Sequence, residues 1–122
     1  YDLTAIVKKD WILEFGRLLK ERGVNISWSL PSGTRSEALD ESVTKLMAET
    51  HCKYLVYAAE SGSPRTLKMI KKKIHLDQML ESMRAAKKNG LVLRCNLMLG
   101  FPKEKRTDGS PPLKIKSDGT VF

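Results

Sequence analysis

The sequence predicts an α/β fold in which about three parallel strands alternate with covering helices. Three observations support this prediction. Short apolar or alternating segments recur along the chain, amphipathic helical segments separate them, and strand–helix units follow one another at intervals of roughly thirty residues. Such a repeat is typical of consecutive βαβ crossovers, and therefore of a parallel sheet or barrel. The 122 residues, 41% of them apolar, suffice for one small domain with a core.

The first helix is predicted over residues 8–22, where apolar side chains recur at three- and four-residue steps. Its apolar stripe consists of Trp11, Ile12, Phe15, Leu18 and Leu19. Gly23 follows as a helix terminator. This segment is therefore amphipathic, and we expect its stripe to face a core.

The first strand is predicted over residues 25–30, because apolar and polar residues alternate there. The apolar face carries Ile26, Trp28 and Leu30, and the polar face carries Ser27 and Ser29. We expect the Pro-Ser-Gly sequence at residues 31–33 to break the chain after this strand. The alternation implies a small, polar lining on one side of the sheet.

The second strand is predicted over residues 54–59, which form a short and continuously apolar run. This pattern favours a parallel strand that is covered on both faces. A helix that begins near Asp40, a plausible N-cap residue, precedes it. After the strand, Ser63 and Pro64 have the pattern of an N-cap and a first helical position, which predicts another helix.

The last helix is predicted over residues 76–88, closed by Asn89 and Gly90. The last strand is predicted over residues 91–99, because glycine and proline follow it directly. From residue 105 onward turn-forming residues dominate and no helical period is visible. We therefore expect one domain over residues 1–104 and an irregular tail over residues 105–122.

The formal net charge of +8 makes a basic interaction module or nucleic-acid-binding module an alternative function. However, the basic residues are spread among acidic ones, and no aromatic residues interleave with them as a single-strand binder requires. We therefore expect a solvated surface and no nucleic-acid partner. No apolar run of membrane-spanning length and no signal peptide occurs, so we expect a cytoplasmic protein without a membrane partner.

Cys52 and Cys95 are the only cysteines. They are too few and too far apart in sequence to form a zinc or iron–sulfur site by themselves. We expect both to be buried free thiols. The sequence thus predicts no metal ligand and no catalytic residue within the chain.

Parallel α/β proteins bind ligands at the carboxyl ends of their strands. Three predicted strands end in polar segments, at residues 29–35, 60–64 and 96–102. Glu60 closes the apolar second strand just before a Ser-Gly-Ser turn. A carboxylate at this position can accept hydrogen bonds from a ligand's ammonium or hydroxyl group. The alternative is that Glu60 caps the following helix.

Three segments occur in order along the chain: WSLPSGTR at 28–35, YLVYAAESGSPRTLKMIKKKI at 54–74 and NLMLGFPKE at 96–104. Together they resemble the radical S-adenosylmethionine (SAM) superfamily, particularly the cobalamin-binding branch that includes the anaerobic magnesium-protoporphyrin ester cyclase type. The resemblance implies a partial (β/α) barrel of six strands, with SAM lying across the strand ends. This chain is similar to the fourth to sixth strands, and would therefore be a fragment of such a barrel.

The resemblance also implies roles for individual residues. Ser29 lies at the fourth-strand position that approaches the SAM ribose, and Arg35 is the basic residue of the following loop. Glu60 matches the fifth-strand polar position near the methionyl part of SAM. These three residues are expected to contact the cofactor.

Lys72 matches the basic residue that pairs with the SAM carboxylate, and a solvated lysine at a helix end is the alternative. Asn96 matches the sixth-strand residue that binds the ribose, and a strand residue bonded to backbone is the alternative. Residues 97–100 would form a wall against the adenine. The implied SAM-binding set is Ser29, Arg35, Glu60, Lys72, Asn96 and Gly100.

The cluster motif of the superfamily, CxxxCxxC, does not occur in this chain. We therefore expect no radical chemistry from the isolated chain, because the cofactors supply that chemistry. A [4Fe–4S] cluster, and cobalamin in the branch that the chain resembles, are expected only in a full-length enzyme. Two arrangements stay open: a cluster-bearing barrel half lies on another segment or partner chain, or the chain associates with itself through open sheet edges.

Overall fold

The computed structural model describes residues 8–34 and 38–104. The elements are α1 (Lys9–Glu21), β1 (Trp28–Thr34), α2 (Glu41–Glu49), β2 (Cys52–Glu60), α3 (Pro64–Met69), α4 (Leu76–Lys88) and β3 (Val92–Leu97). The predicted α/β class is confirmed, and each predicted helix and strand has its counterpart. The tail predicted over residues 105–122 lies outside the described residues.

The three strands form one parallel sheet in the order β1-β2-β3. Helices α1, α2 and α4 all contribute to one buried cluster with the strands. Its largest fully buried members are Ile12, Leu39, Met47, Leu55, Tyr57, Met79 and Met83. Because these helices cover the same face, the chain winds in one direction, as in a barrel, and not on both faces as in a doubly wound sheet. The architecture is that of an open piece of a (β/α) barrel.

Helix α1 buries a narrower stripe than the sequence predicts. Ile12 and Leu19 are buried, together with Gly16, which lies against α2. Trp11 is 53% exposed and stacks on Phe15, with the two ring centres 5.6 Å apart. The core contact of α1 is therefore made mainly by small and aliphatic residues.

The prediction that residues 31–33 end the first strand is wrong. β1 starts at Trp28 and continues to Thr34. Its pairing with β2 is irregular, since Leu30 lies opposite Leu55 and Gly33 opposite Val56. The two additional residues of β1 form a bulge that accommodates a proline, because β1 is an edge strand of the described sheet.

Helix α2 begins with the predicted cap. The carboxylate of Asp40 accepts a hydrogen bond from the backbone N–H of Val43 at 3.0 Å. Asp40 also forms an ion pair with Lys9 and accepts a hydrogen bond from Ser42. Partial burial raises the pKa of Asp40, but the hydrogen bonds from Lys9, Ser42 and Val43 outweigh burial and lower this pKa to about 2.

The face of the sheet opposite these helices, called the open face below, is exposed along β3, although Val56 of the central strand is buried there. Val92 is 65% exposed there, and the guanidinium carbon of Arg94 lies 5.8 Å from the ring centre of Tyr54. Asn96 lies directly opposite Ala58 in the ladder, so these two side chains share this face. The predicted polar lining is therefore present in β2 and β3. Among the described helices, none is long and apolar enough to cross a membrane.

Candidate functional site at the carboxyl ends of the strands

Glu60 ends β2 in an unusual backbone conformation. Its φ is 65°, in the left-handed region that residues with a side chain seldom adopt. The backbone N–H of Ser61 donates to the carbonyl oxygen of Ala59 at 2.8 Å, which closes a γ-turn centred on Glu60. Met98 N–H donates to the carbonyl oxygen of Glu60 at 2.7 Å and fixes this turn from the end of β3. Strained backbone of this kind is common at ligand-binding sites.

Lys72 is turned back towards Glu60 by the end of helix α3. The N–H of Lys71 donates to the carbonyl of Lys68, and the N–H of Lys72 donates to the carbonyl of Leu67. With a φ of 56° at Lys71, these two bonds form a Schellman motif. The motif reverses the chain directly after α3, which brings the side chain of Lys72 over the end of β2.

Glu60 and Lys72 form an ion pair. Lys72 Nζ donates to Glu60 Oε1 at 2.8 Å, and the two side chains are 38% and 17% exposed, respectively. Lys72 is therefore a partly exposed lysine just after the end of α3 that is paired with Glu60. The pair presents a carboxylate and an ammonium group side by side, and each retains capacity for further hydrogen bonds.

The turn between β2 and α3 excludes the other role considered for Glu60. Ser63 caps α3, because its Oγ accepts a hydrogen bond from Thr66 N–H at 3.3 Å. Ser61 Oγ accepts from Ser63 N–H at 3.1 Å, and both serines are buried. Thr66 Oγ1 is also buried, and it has no hydrogen-bond partner within the described part of the chain. The carboxylate of Glu60 is thus free of a capping role.

The segment after β3 folds over the same edge. Strand β3 ends at Leu97, two residues earlier than predicted. Gly100 has a φ of 86°, and its N–H donates to Glu104 Oε2 at 2.7 Å. The N–H of Phe101 donates to the same oxygen at 3.0 Å. Glu104, which ends the third sequence motif, therefore holds this turn, a role that its place after Gly and Pro could have suggested.

Asn96 lies close to the Glu60 end of the sheet. It is exposed and pairs with Ala58, two residues before Glu60 on the same face of β2. This separation is about 6 to 7 Å along the strand direction. The structure therefore brings Glu60, Lys72 and Asn96 to one edge, with the exposed apolar residues Leu97, Met98 and Leu99 beside them.

Ser29 lies at the other end of the sheet. It falls between the pairs Trp28–Cys52 and Leu30–Leu55, and is thus level with the start of β2. Glu60 is about 20 Å further along the strand direction. The prediction that the strand ends at Leu30 was wrong, since β1 continues to Thr34. The role of Ser29 at the SAM ribose stays a prediction, and Arg35 lies outside the described residues.

Gly33, and not Ser29, lies near the carboxyl end of β1. A Cβ atom at Gly33 would lie 2.7 Å from the Cβ of Ala58, well inside van der Waals contact. Nearby, Thr34 Oγ1 donates to the carbonyl oxygen of Val56 at 3.1 Å. The end of β1 therefore packs tightly against β2, and only a residue without a side chain fits at Gly33.

The two cysteines lie on the covered face and are free thiols, as predicted, but only Cys52 is buried and Cys95 is half-buried. Burial raises the pKa of Cys52 to about 12, despite a hydrogen bond to the Tyr54 carbonyl that lowers it. Burial also raises the pKa of Cys95. Thiols held in the protonated form on this face do not fit an iron–sulfur cluster. No group of three His, Cys, Asp or Glu residues in the described ranges could hold a metal ion.

A comparison with known proteins shows the family of the chain. Residues 4–108 match the radical SAM superfamily. The chain belongs to this superfamily. Full-length radical SAM enzymes use SAM together with an iron–sulfur cluster, so both cofactors are implied for a complete enzyme that contains these strands.

Three relatives are similar to this radical SAM chain. An uncharacterised methyltransferase of Pyrococcus horikoshii is 33% identical over 114 residues, which cover 93% of this chain and 24% of that protein. Cytidylyl-2-hydroxyethylphosphonate methyltransferase of Streptomyces wedmorensis is 33% identical over 94 residues, with coverages of 76% and 17%. An uncharacterised protein of Methanocaldococcus jannaschii is 31% identical over 99 residues, with coverages of 80% and 21%. The chain thus spans a quarter or less of the length of these relatives.

Proposed function

We propose that this chain supplies the part of a radical SAM enzyme that binds the methionyl group of SAM. In this proposal Glu60 accepts hydrogen bonds from the ammonium group of SAM, and Lys72 donates a hydrogen bond to its carboxylate. The observation that carries the proposal is the Glu60–Lys72 pair at 2.8 Å, at the carboxyl edge of a parallel sheet. An amino acid zwitterion is complementary to such a pair, because each of its charges meets a partner of opposite sign.

The remaining contacts follow from the same edge. In this proposal Asn96 binds the ribose, and the exposed side chains of Leu97 and Leu99 pack against the adenine. Gly100 shapes the cofactor site through its backbone turn and does not donate its N–H to SAM, because that N–H is already bonded to Glu104. Ser29 is too far along the sheet to share a compact contact set with Glu60, so we assign it to the barrel lining.

For the whole protein we propose methyl transfer in the cytoplasm, with the cluster ligands outside this chain and with cobalamin as a further cofactor. Two of the three relatives are named as methyltransferases, which supports this reaction class. SAM carries an activated methyl group and suits that reaction. Neither cysteine of the chain fits a cluster, which supports the placement of the cluster elsewhere.

We further propose that additional barrel strands cover the open face. The exposed Val92 and the polar row of Arg94 and Asn96 would then line a closed interior. These strands come from another segment of the protein or from a second copy of the chain.

An amide NMR titration of the chain with SAM tests the methionyl site, because NMR also detects weak binding. We expect shifts at residues 60–63 and at Lys72. Glu60→Gln and Lys72→Gln should each weaken SAM binding by about tenfold or more, since each removes a charge-assisted hydrogen bond. The exposed neighbour Lys73 provides the control: Lys73→Gln should leave the affinity within about twofold.

Decarboxylated SAM makes this test specific to Lys72. It should bind the wild-type chain more weakly than SAM, and Lys72→Gln should not weaken it further. If Lys72→Gln weakens both ligands equally, or if Lys73→Gln acts like Lys72→Gln, the carboxylate contact is refuted.

A further inference from the structure

A groove of about 770 Å³ lies where the chain passes from helix α3 to helix α4. Its floor is apolar and consists of Pro64, Leu67, Ile74, Leu76 and Leu80. Leu67 is buried, and three of the others pack on the edge of the core cluster. The volume falls within the range of small-molecule sites, about 300–1,000 Å³. No strand residue lines this groove, and Lys72 is the one residue of the proposed SAM site that does.

The rim of the groove is strongly basic. Lys68, Lys71, Lys72 and Lys73 line it, against one acidic residue, Asp77. Within the described ranges Lys72 pairs with Glu60, but Lys68, Lys71 and Lys73 form no ion pair. Three ammonium groups without an ion pair in the described ranges therefore surround the apolar floor.

Three lysines on other elements are paired with carboxylates. Lys9, Lys20 and Lys88 each form an ion pair with a carboxylate from another element. A second groove, on the other side of α4, is lined by Asp40, Glu41 and Glu81 and has a volume of about 460 Å³. The surface of α4 thus separates a basic groove from an acidic one, and the basic character of the first does not simply follow the net charge.

Lys71 occupies a conformation that favours glycine. Its φ is 56°, and this left-handed conformation costs about 1 kcal/mol or more for a residue with a side chain. A glycine there would complete the Schellman motif without this cost. The lysine places an additional ammonium group on the rim, which offers a physical reason for its presence.

We propose that this groove binds an organic anion with an apolar body and a doubly charged group, such as a phosphate monoester of an aromatic alcohol. The floor buries the body, and the three lysines meet the charges. This proposal does not depend on SAM binding at Glu60 and Lys72.

The test uses 1-naphthyl phosphate as the probe, titrated into the full chain and followed by amide NMR. A triple variant, Lys68→Gln with Lys71→Gln and Lys73→Gln, should bind it about tenfold more weakly or worse, because three screened charges are lost. The matched control carries Lys8→Gln, Lys45→Gln and Lys53→Gln, which remove the same charge from exposed positions elsewhere. It should bind within about twofold of the wild type.

Two further probes separate the floor from the rim. Uncharged 1-naphthol and inorganic phosphate should each bind more weakly than 1-naphthyl phosphate, because each lacks one half of the ligand. Shifts centred on residues 67–80 support the groove. Equal losses in the two triple variants, naphthol binding as tight as that of its phosphate, or shifts centred elsewhere would overturn the proposal.

Discussion

The two faces of the sheet differ in nearly every physical property. On the covered face, Leu55 and Tyr57 are fully buried beneath helices, and the Tyr57 hydroxyl is hydrogen-bonded to Ser82 at 2.8 Å. On the open face, Val92 and Asn96 are exposed, and Arg94 contacts the Tyr54 ring. The covered face therefore provides most of the stability. The open face is the one that the fold leaves available for a ligand or for further strands.

The largest expected difference between the faces is in stability. Leu55→Ala should lower the free energy of unfolding by about 2–5 kcal/mol, because it creates a cavity in the buried cluster. Val92→Ala on the open face should change it by less than about 0.5 kcal/mol. Chemical denaturation measures both values. Equal losses would show that the open face is packed in solution, as in a dimer.

A smaller effect is expected at the close approach of β1 to β2. Gly33→Ala should lower the free energy of unfolding by about 1–3 kcal/mol, because the new methyl group would lie 2.7 Å from the Cβ of Ala58. Combining it with Ala58→Gly should recover part of the loss, since that change removes the atom contacted. Additive losses in denaturation experiments would argue against the register of β1 described above.

The smallest effect concerns the cap that anchors α2 over the covered face. The pKa of Asp40 lies below its unfolded value, so its stabilising contribution is complete above about pH 4 and is lost as the pH falls towards about 2. Asp40→Asn should therefore make stability less dependent on pH between these values. Denaturation curves across this range measure the slope. An unchanged slope would mean that the Lys9 and Val43 bonds do not persist in solution.

Elements with a strong local signal could be predicted from the sequence. Helix α4 begins and ends at the predicted residues, and Asp40 and Ser63 cap the helices that they were expected to cap. The chemical character of the second strand ending was also foreseen, because Glu60 follows directly on an apolar run. In these cases the determining interactions are local in sequence.

The remaining features depend on contacts between distant segments. The predicted end of β1 was too early, because proline and glycine usually break a strand. Here a bulge in an edge strand accommodates them. The role of Ser29 came from the resemblance alone and stays a prediction. The pairing of Lys72 with Glu60 depends on the chain reversal after α3. The sequence does not indicate this reversal, because Lys71 occupies the position of the Schellman motif where glycine is usual.

The central claim is that SAM binds at the carboxyl edge of the open face, with its methionyl group at Glu60 and Lys72. Intermolecular nuclear Overhauser effects between SAM and the chain test this claim most directly. The account predicts contacts from the methionyl protons to the Lys72 side chain and from the adenine protons to Leu97 or Leu99. Contacts from SAM to the covered-face helices, or to the groove floor at Leu67 and Leu80, would contradict it.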